Sequence, residues 1–266
     1  MRPTPTPYQL GVGFVTNFFD ALGIGSFATT TAAYKARNTV PDEQIPGTLN
    51  VGHAIPTFLE AAIFIRIIDV DRLTLWSMIA ASVVGAWLGA GFVSRWPRRR
   101  IQRGMAIALV TTGVVIALRQ LHLFPPGGAA IGLTGAALVA AIVANGVLGA
   151  LMTLGIGLYA PCMGVVSLLG MSPVTAYPIM MGSCAFLMPV ASVQFIRAGS
   201  FNRQAALGLT IGGVPAIILA TWLVKSLPLD VVKWLVVGVV LYTAFTMWRS
   251  SLVPDPKLAE LAPAVD

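Results

Sequence analysis

An all-α integral membrane protein is the fold class this sequence predicts, and three observations carry the prediction. The first is composition. Of the 266 residues, 56% are hydrophobic and only 10% are charged, with a mean hydropathy of +0.82, which is too little polar surface to cover a water-soluble globule of this size. The second is that apolar runs of roughly 20 residues, the length that spans hydrocarbon, follow one another along the chain and leave no room for a soluble catalytic domain. The third is a phrase used twice. Leu22-Gly23-Ile24-Gly25-Ser26-Phe27-Ala28 is answered by Leu154-Gly155-Ile156-Gly157-Leu158-Tyr159-Ala160, and each copy interrupts an apolar stretch with paired glycines. Glycine weakens a helix interior and permits positive φ, so the phrases predict broken helices, expected to meet at a central site.

The segments follow in order. Met1 to Pro7 lacks the basic, apolar and cleavage regions of a signal peptide, so the first apolar stretch, about Tyr8 to Tyr34, is expected to be retained. A polar loop, Asn38 to Gln44, leads to a second segment, about Ile45 to Ile68, where Pro46 suits a first helical turn because its missing N–H would be unpaired there. The third segment runs to about Val93 and carries Gly85-xxx-Gly89, a spacing that lets membrane helices approach closely. A basic loop, Arg95 to Arg103, precedes a fourth segment ending near Leu121. Pro125-Pro126-Gly127-Gly128 marks a boundary between halves. Beyond it, about Ala129 to Met171 is too long for one ordinary span and is expected to hold a full helix plus a broken or re-entrant one. Segments near Val174 to Ile196, Gln204 to Val224 and Val231 to Met247 complete the set, ahead of a short solvated tail.

A shift of 132 positions places Leu22-Gly23-Ile24-Gly25 on Leu154-Gly155-Ile156-Gly157 and Pro46 on Pro178, and with a one-residue slip Phe64-Ile65-Arg66 falls on Phe195-Ile196-Arg197. The chain therefore reads as two pseudo-symmetric repeats of about four transmembrane segments each, 1–124 and 125–252, followed by the tail 253–266. The net charge of +7 would suggest nucleic acid in a soluble protein, but here the basic residues lie between apolar runs and are expected to set topology. Their distribution favours inverted repeats with the Arg95–Arg103 stretch cytoplasmic. The bilayer, and no nucleic acid, is the expected partner.

Polar residues inside apolar segments are costly and need a partner or a purpose. Asn50, His53, Thr57 and Glu60 fall within an arc of about 80° at helical spacing and form one stripe. His53 and Glu60, with Asp20 of the first segment, are the candidates for proton coupling; the structural alternative for His53 and Glu60 is that they satisfy backbone or neighbouring polar groups between helices, and for Asp20 that it lies near an interface and is solvated. Gly13 and Asn17 correspond to Asn145 and Gly149, so asparagine and glycine exchange places between halves, as expected of two breaks packed around a shared cavity. A helix restarting after a break offers unpaired N–H groups and the positive end of its dipole, which hold an oxyanion without a buried lysine or arginine. The expected substrate-binding set is Gly23, Gly25, Ser26, Thr29, Thr30, Asn17, Asn145, Gly155, Gly157, Tyr159 and Cys162.

The phrases from Leu22 to Thr31, from Ile45 to Gly52, from Leu154 to Met163 and from Pro178 to Phe186 together resemble the TauE/SafE sulfite exporter family, also called the toluene sulfonate uptake permease family. The resemblance implies a bacterial inner-membrane secondary transporter of roughly eight spans in two repeats, moving sulfite or organosulfonate-type anions. This chain has only Gly23 and Gly25 where the family often carries a denser glycine run. Two other classes fit less of the chain. A membrane thiol-disulfide carrier would use Cys162 and Cys184, but there is no CxxC, and a non-transporting scaffold would leave the glycine phrases without a role. No enzymatic motif, cofactor site or metal site is expected.

Overall fold

The computed structural model describes residues 4–123, 127–155, 157–223 and 229–252. Among these, ten helices follow one another: α1 (Pro7–Ala21), α2 (Ser26–Ala36), α3 (Ile45–Ile67), α4 (Arg72–Val93), α5 (Arg98–Gln120), α6 (Gly135–Met152), α7 (Tyr159–Leu168), α8 (Ala176–Arg197), α9 (Arg203–Leu223) and α10 (Leu229–Leu252). Short 3₁₀ turns, Asp42–Gln44 and Pro173–Thr175, lead into α3 and α8. Helices α3, α4, α5, α6, α8 and α9 are long and apolar enough to cross a membrane. Large apolar side chains such as Val84, Leu88, Val139, Val143 and Val147 point outward, as a lipid-facing surface requires.

Local chemistry sets the helix ends. Thr6 caps α1 in a reciprocal box with Gln9, and Asp71 caps α4 by accepting from the Thr74 backbone N–H and hydroxyl. Pro46 sits in the first turn of α3 as its sequence position predicts. Pro56, inside the same helix, has no N–H to give the Gly52 carbonyl. Thr210 of α9 donates its hydroxyl to that carbonyl at 2.8 Å instead. Arg98 to Arg103 differ from the sequence expectation of a loop. They lie on the first turns of α5, where Ile101, Gln102 and Met105 turn inward at helical spacing while the arginines coat the outer face. Low hydropathy hid that helix start. The region from Ala129 holds no helix before Gly135, then α6 and the short α7. The centre of the expected boundary loop, 124–126, and the expected tail, 253–266, lie outside the described residues.

The chain reverses at both glycine phrases. The Tyr8 hydroxyl, at the start of α1, donates to the Ala33 carbonyl near the end of α2 at 2.6 Å, and the Arg37 guanidinium lies 4.4 Å from the Tyr8 ring centroid. Helices α1 and α2 therefore form a hairpin with Leu22–Gly25 at its tip. Likewise Ala130, before α6, pairs with Met171, after α7, through Gly128 N–H to Met171 C=O at 3.0 Å and Ser172 N–H to Ala130 C=O at 2.8 Å. The base of the first hairpin lies with the loops near Ser94 and Asn202, joined by Gln204 to Thr4, Asn202 to Thr48 and Ser200 to Ser94. The base of the second lies with the α3–α4 loop, joined by Asp71 N–H to Ile131 C=O and Leu133 N–H to Thr74 Oγ1. Helix α3 runs from one group of loops to the other, so the hairpins enter from opposite faces.

Packing interleaves the two halves. Helix α1 lies along α9 and α6 along α4; α3 packs on α8 and α5 on α10. Small residues make the closest approaches. A Cβ at Gly85 would collide with the Gly146 carbonyl, one at Gly89 would come within 2.6 Å of the Ala150 carbonyl, and one at Gly13 within 2.5 Å of the Gly208 carbonyl. On the basic face Asp42, nearly buried, is held by Lys35 at 2.7 Å, by Gln102 at 2.7 Å and by Arg98 at 3.7 Å, tying the end of α2 to the start of α5. Gly85→Ala is expected to destabilise the protein by about 1–3 kcal/mol through overpacking of α4 on α6. Gly11→Ala, where nothing lies within 4 Å, is expected to be neutral or slightly stabilising. Thermal unfolding of the two variants in detergent checks both.

Candidate functional site at the hairpin tips

Gly25, between the two hairpin helices, has φ +92°, and Gly23, two residues earlier, has φ +81°, conformations that a side chain would strain. These two residues let the chain turn within four positions and deliver Ser26 as the first residue of α2. In the second hairpin Gly155, with φ +94°, performs the same turn ahead of Tyr159, the first residue of α7. Ile156 lies outside the described residues.

Both tips face one cavity. Asp20, Ile24 to Ala28, and Gly157 to Ala160 line it from the two hairpins, and Thr112 of α5, Met152 of α6, and Cys184 and Met188 of α8 close it. In this conformation its volume is about 20 Å³, room for little more than one water. The expected residues Gly25, Ser26, Gly157, Tyr159 and Asp20 are thus brought together, although their two groups lie more than a hundred positions apart in the chain.

The polar contacts around the cavity are specific. Asp20, 2% exposed, accepts from the Ser26 backbone N–H at 2.8 Å, so its carboxylate sits on the N-terminus of α2. Tyr159 donates its hydroxyl to Glu60 Oε2 at 2.9 Å, while Glu60 Oε1 is buried without a hydrogen-bond partner. Thr112 Oγ1, on the cavity wall, is likewise buried without a partner. Neither described ion pair reaches these groups; both involve Asp42.

Other expected residues serve the surrounding structure instead of the cavity wall. Asn17 donates Nδ2 to the Gly13 carbonyl at 2.6 Å and offers Oδ1 to His53 Nδ1 at 2.9 Å; a Cβ at Gly213 would touch its amide. His53 Nε2 lies 3.0 Å from Thr30 Oγ1. A neutral imidazole satisfies both contacts, donating from Nδ1 and accepting at Nε2, and so pins α3 to both arms of the first hairpin. Thr29 bonds the Gly25 and Ser26 carbonyls of its own helix. Asn145 donates to the Met78 carbonyl at 2.8 Å and Ser183 Oγ at 2.9 Å, joining α6 to α4 and α8. The Cys162 thiol is buried outside the cavity lining, whereas Cys184 lines it, 3.5 Å from the Met152 sulfur. Gly23 and Gly155 shape the turns behind the wall.

Sequence reading missed Thr112, Met152 and Met188. Only Thr112 carried a signal, a hydroxyl deep in an apolar run.

Long apolar helices packed around a small buried cavity define a multi-pass helical membrane protein. Residues 2–116 match the family model described as Sulfite exporter TauE/SafE, a membrane transport family, and the match covers the first hairpin with its glycine phrase, α3, α4 and most of α5. No curated protein matches the chain.

His53→Leu is expected to orphan both Asn17 Oδ1 and Thr30 Oγ1 at about 1–3 kcal/mol each, lowering the unfolding midpoint by several degrees. His53→Gln, able to keep one of the two bonds, should lose less. Unfolding midpoints of the purified variants decide this.

Proposed function

We propose that the protein is a secondary transporter of small sulfur oxyanions of sulfite or organosulfonate type in a bacterial inner membrane. The observation that carries this is the meeting of two glycine phrases, 132 positions apart, as the walls of one cavity. Each phrase starts a helix whose N-terminus faces that cavity, and helix N-termini stabilise anions without a buried cation. The family match supports the same class of cargo.

On this reading the chain is two inverted repeats, 1–124 and 125–252. Each comprises a re-entrant hairpin and three crossings, α3 to α5 and α8 to α10. Several features support the assignment. Contacts between the halves come in exchanged pairs, α1 with α9 and α6 with α4, α3 with α9 and α8 with α4. The returning arms have 11 and 10 residues, roughly 16 and 15 Å of helix, about half of a ~30 Å hydrocarbon core, so hairpins from opposite faces meet near mid-depth. An odd number of crossings per half inverts the second copy. It also gathers Lys35, Arg37, the arginines of early α5, Arg197, Arg203 and Arg249 on one face, the cytoplasmic one.

Loading requires the tips to part, since the cavity is smaller than any sulfur oxyanion. Export of an anion runs with a negative-inside potential, worth about 2.3 kcal/mol per charge per 100 mV, whereas uptake needs an accompanying cation. Glu60 and Asp20 are the groups we assign to a proton, because both are buried carboxyl groups outside the described ion pairs, Asp20 on the cavity wall and Glu60 one hydrogen bond behind it on Tyr159. His53, with both ring nitrogens engaged, acts as the clamp that holds the first hairpin.

Proteoliposome flux over a panel of sulfite, alkylsulfonates, sulfate and carboxylates tests the reading. Sulfur oxyanions should compete with one another, and equal competition by neutral solutes would contradict it. Gly157→Leu, whose side chain enters space with nothing within 4 Å, should abolish flux without loss of membrane insertion. Glu60→Gln should retain anion exchange but lose its response to an imposed pH gradient. An unchanged response would assign Glu60 to packing alone.

A further inference from the structure

The two helix N-termini at the cavity are unequal. Helix α2 begins with its Ser26 N–H already bonded to the carboxylate of Asp20, supplied from the end of α1. Helix α7 begins with no side-chain cap, and the residue that corresponds to Asp20 in the 132-position shift is Met152, also on the cavity wall. Opposite them, Thr112 presents a buried hydroxyl with no partner. A buried hydroxyl without a partner in a cavity wall leaves a hydrogen bond open to whatever enters the cavity.

We propose that Asp20 is a tethered competitor of the transported anion: its carboxylate occupies the α2 N-terminus, and substrate binds by displacing it, with the α7 N-terminus and the Thr112 hydroxyl completing the seat. The inference rests on the anion-transport reading above and adds to it a residue that controls access.

Displacement has an electrostatic logic. An oxyanion beside an unmoved carboxylate would meet like charge with no cation in reach to offset it. The titratable groups around Asp20 are Tyr159 from α7 and Cys184 from α8, which line the same cavity, and Glu60 from α3, bonded to Tyr159 behind its wall. His53 of α3 is bonded to Asn17 and Thr30, and Cys162 of α7 is buried outside the cavity lining. Helix α9, packed along α1, carries no titratable side chain after Arg203, and α2 carries Tyr34 and Lys35 only at its far end. A proton arriving on Asp20 removes its charge and weakens its hold on the Ser26 N–H, which frees that donor for the incoming anion. One event then admits both proton and anion, which couples their movement.

Binding of methanesulfonate, which stays a monoanion across the range, to the full-length protein in detergent tests the proposal at about pH 6 and about pH 8. Wild type should bind more weakly at the higher pH, whereas Asp20→Asn, which cannot titrate, should bind about tenfold more tightly than wild type at the higher pH and show little pH dependence. Equal or weaker binding by a folded Asp20→Asn variant would overturn it. Asp20→Ala supplies a readout that needs no substrate. Formate should fill the vacated carboxylate position and raise the melting temperature of that variant by several degrees, with no effect on wild type. Equal shifts in both proteins would overturn the seat, as would collapse of both variants, which would make Asp20 an obligatory cap. Formate protection of Asp20→Ala alone, with no sulfur oxyanion bound by any variant, would retain the seat and remove the transport reading. Normal sulfonate flux with binding unchanged in Asp20→Asn would do the reverse.

Discussion

The constraint on which the structure depends is that backbone N–H and C=O groups inside an apolar protein must find partners where no bulk water reaches them. A chain that turns back within its own interior exposes such groups at the turn. Here the turns are made by glycines at positive φ, and the new helix of the first hairpin has its leading N–H taken by Asp20. Long helices surround both hairpins, so the irregular backbone faces protein and cavity. The site is therefore where the fold is forced to gather its polar groups.

The same constraint explains several other buried polar side chains. His53 connects α3 to Asn17 and Thr30, so both arms of the first hairpin are pinned by one imidazole. Asn145 does comparable work for α6, bonding the Met78 carbonyl and the Ser183 hydroxyl. Where Pro56 leaves the Gly52 carbonyl without an internal donor, Thr210 of the other half provides one. The Asn145–Met78 and Thr210–Gly52 bonds cross between the first and second parts of the chain, and with the glycine contacts of α1 on α9 and α4 on α6 they hold the two tips face to face.

Much of this was legible in the sequence because it is local. Gly85-xxx-Gly89 marked a close helix approach, found against Gly146 and Ala150, and Asn50, His53, Thr57 and Glu60 are all buried on one side of α3. The paired glycine phrases pointed to the cavity-lining residues Gly25, Ser26, Gly157 and Tyr159. Reversal of the chain was not legible, since a glycine break in an apolar run reads alike whether the helix continues or turns back. Only Tyr8 against Ala33 and Ala130 against Met171 distinguish the two. The partners of Asn17 and Asn145 were equally hidden, because helical periodicity assigns a face and says nothing about which helix will cover it. Thr112 and Met188 reach the cavity only through the packing of α5 and α8 around it, a tertiary fact with no local pattern.

The central claim is that the two hairpin tips form a single anion seat. Selenite is a heavier analogue of sulfite, and locating it by anomalous scattering in crystals of the full-length protein tests that claim most directly. The account predicts one selenium peak between Ser26 and Tyr159, within hydrogen-bonding reach of Thr112, with the Asp20 carboxylate moved off the Ser26 N–H. A peak confined to the arginine face around Arg95 and Arg98, with the tips still closed on Asp20, would contradict it.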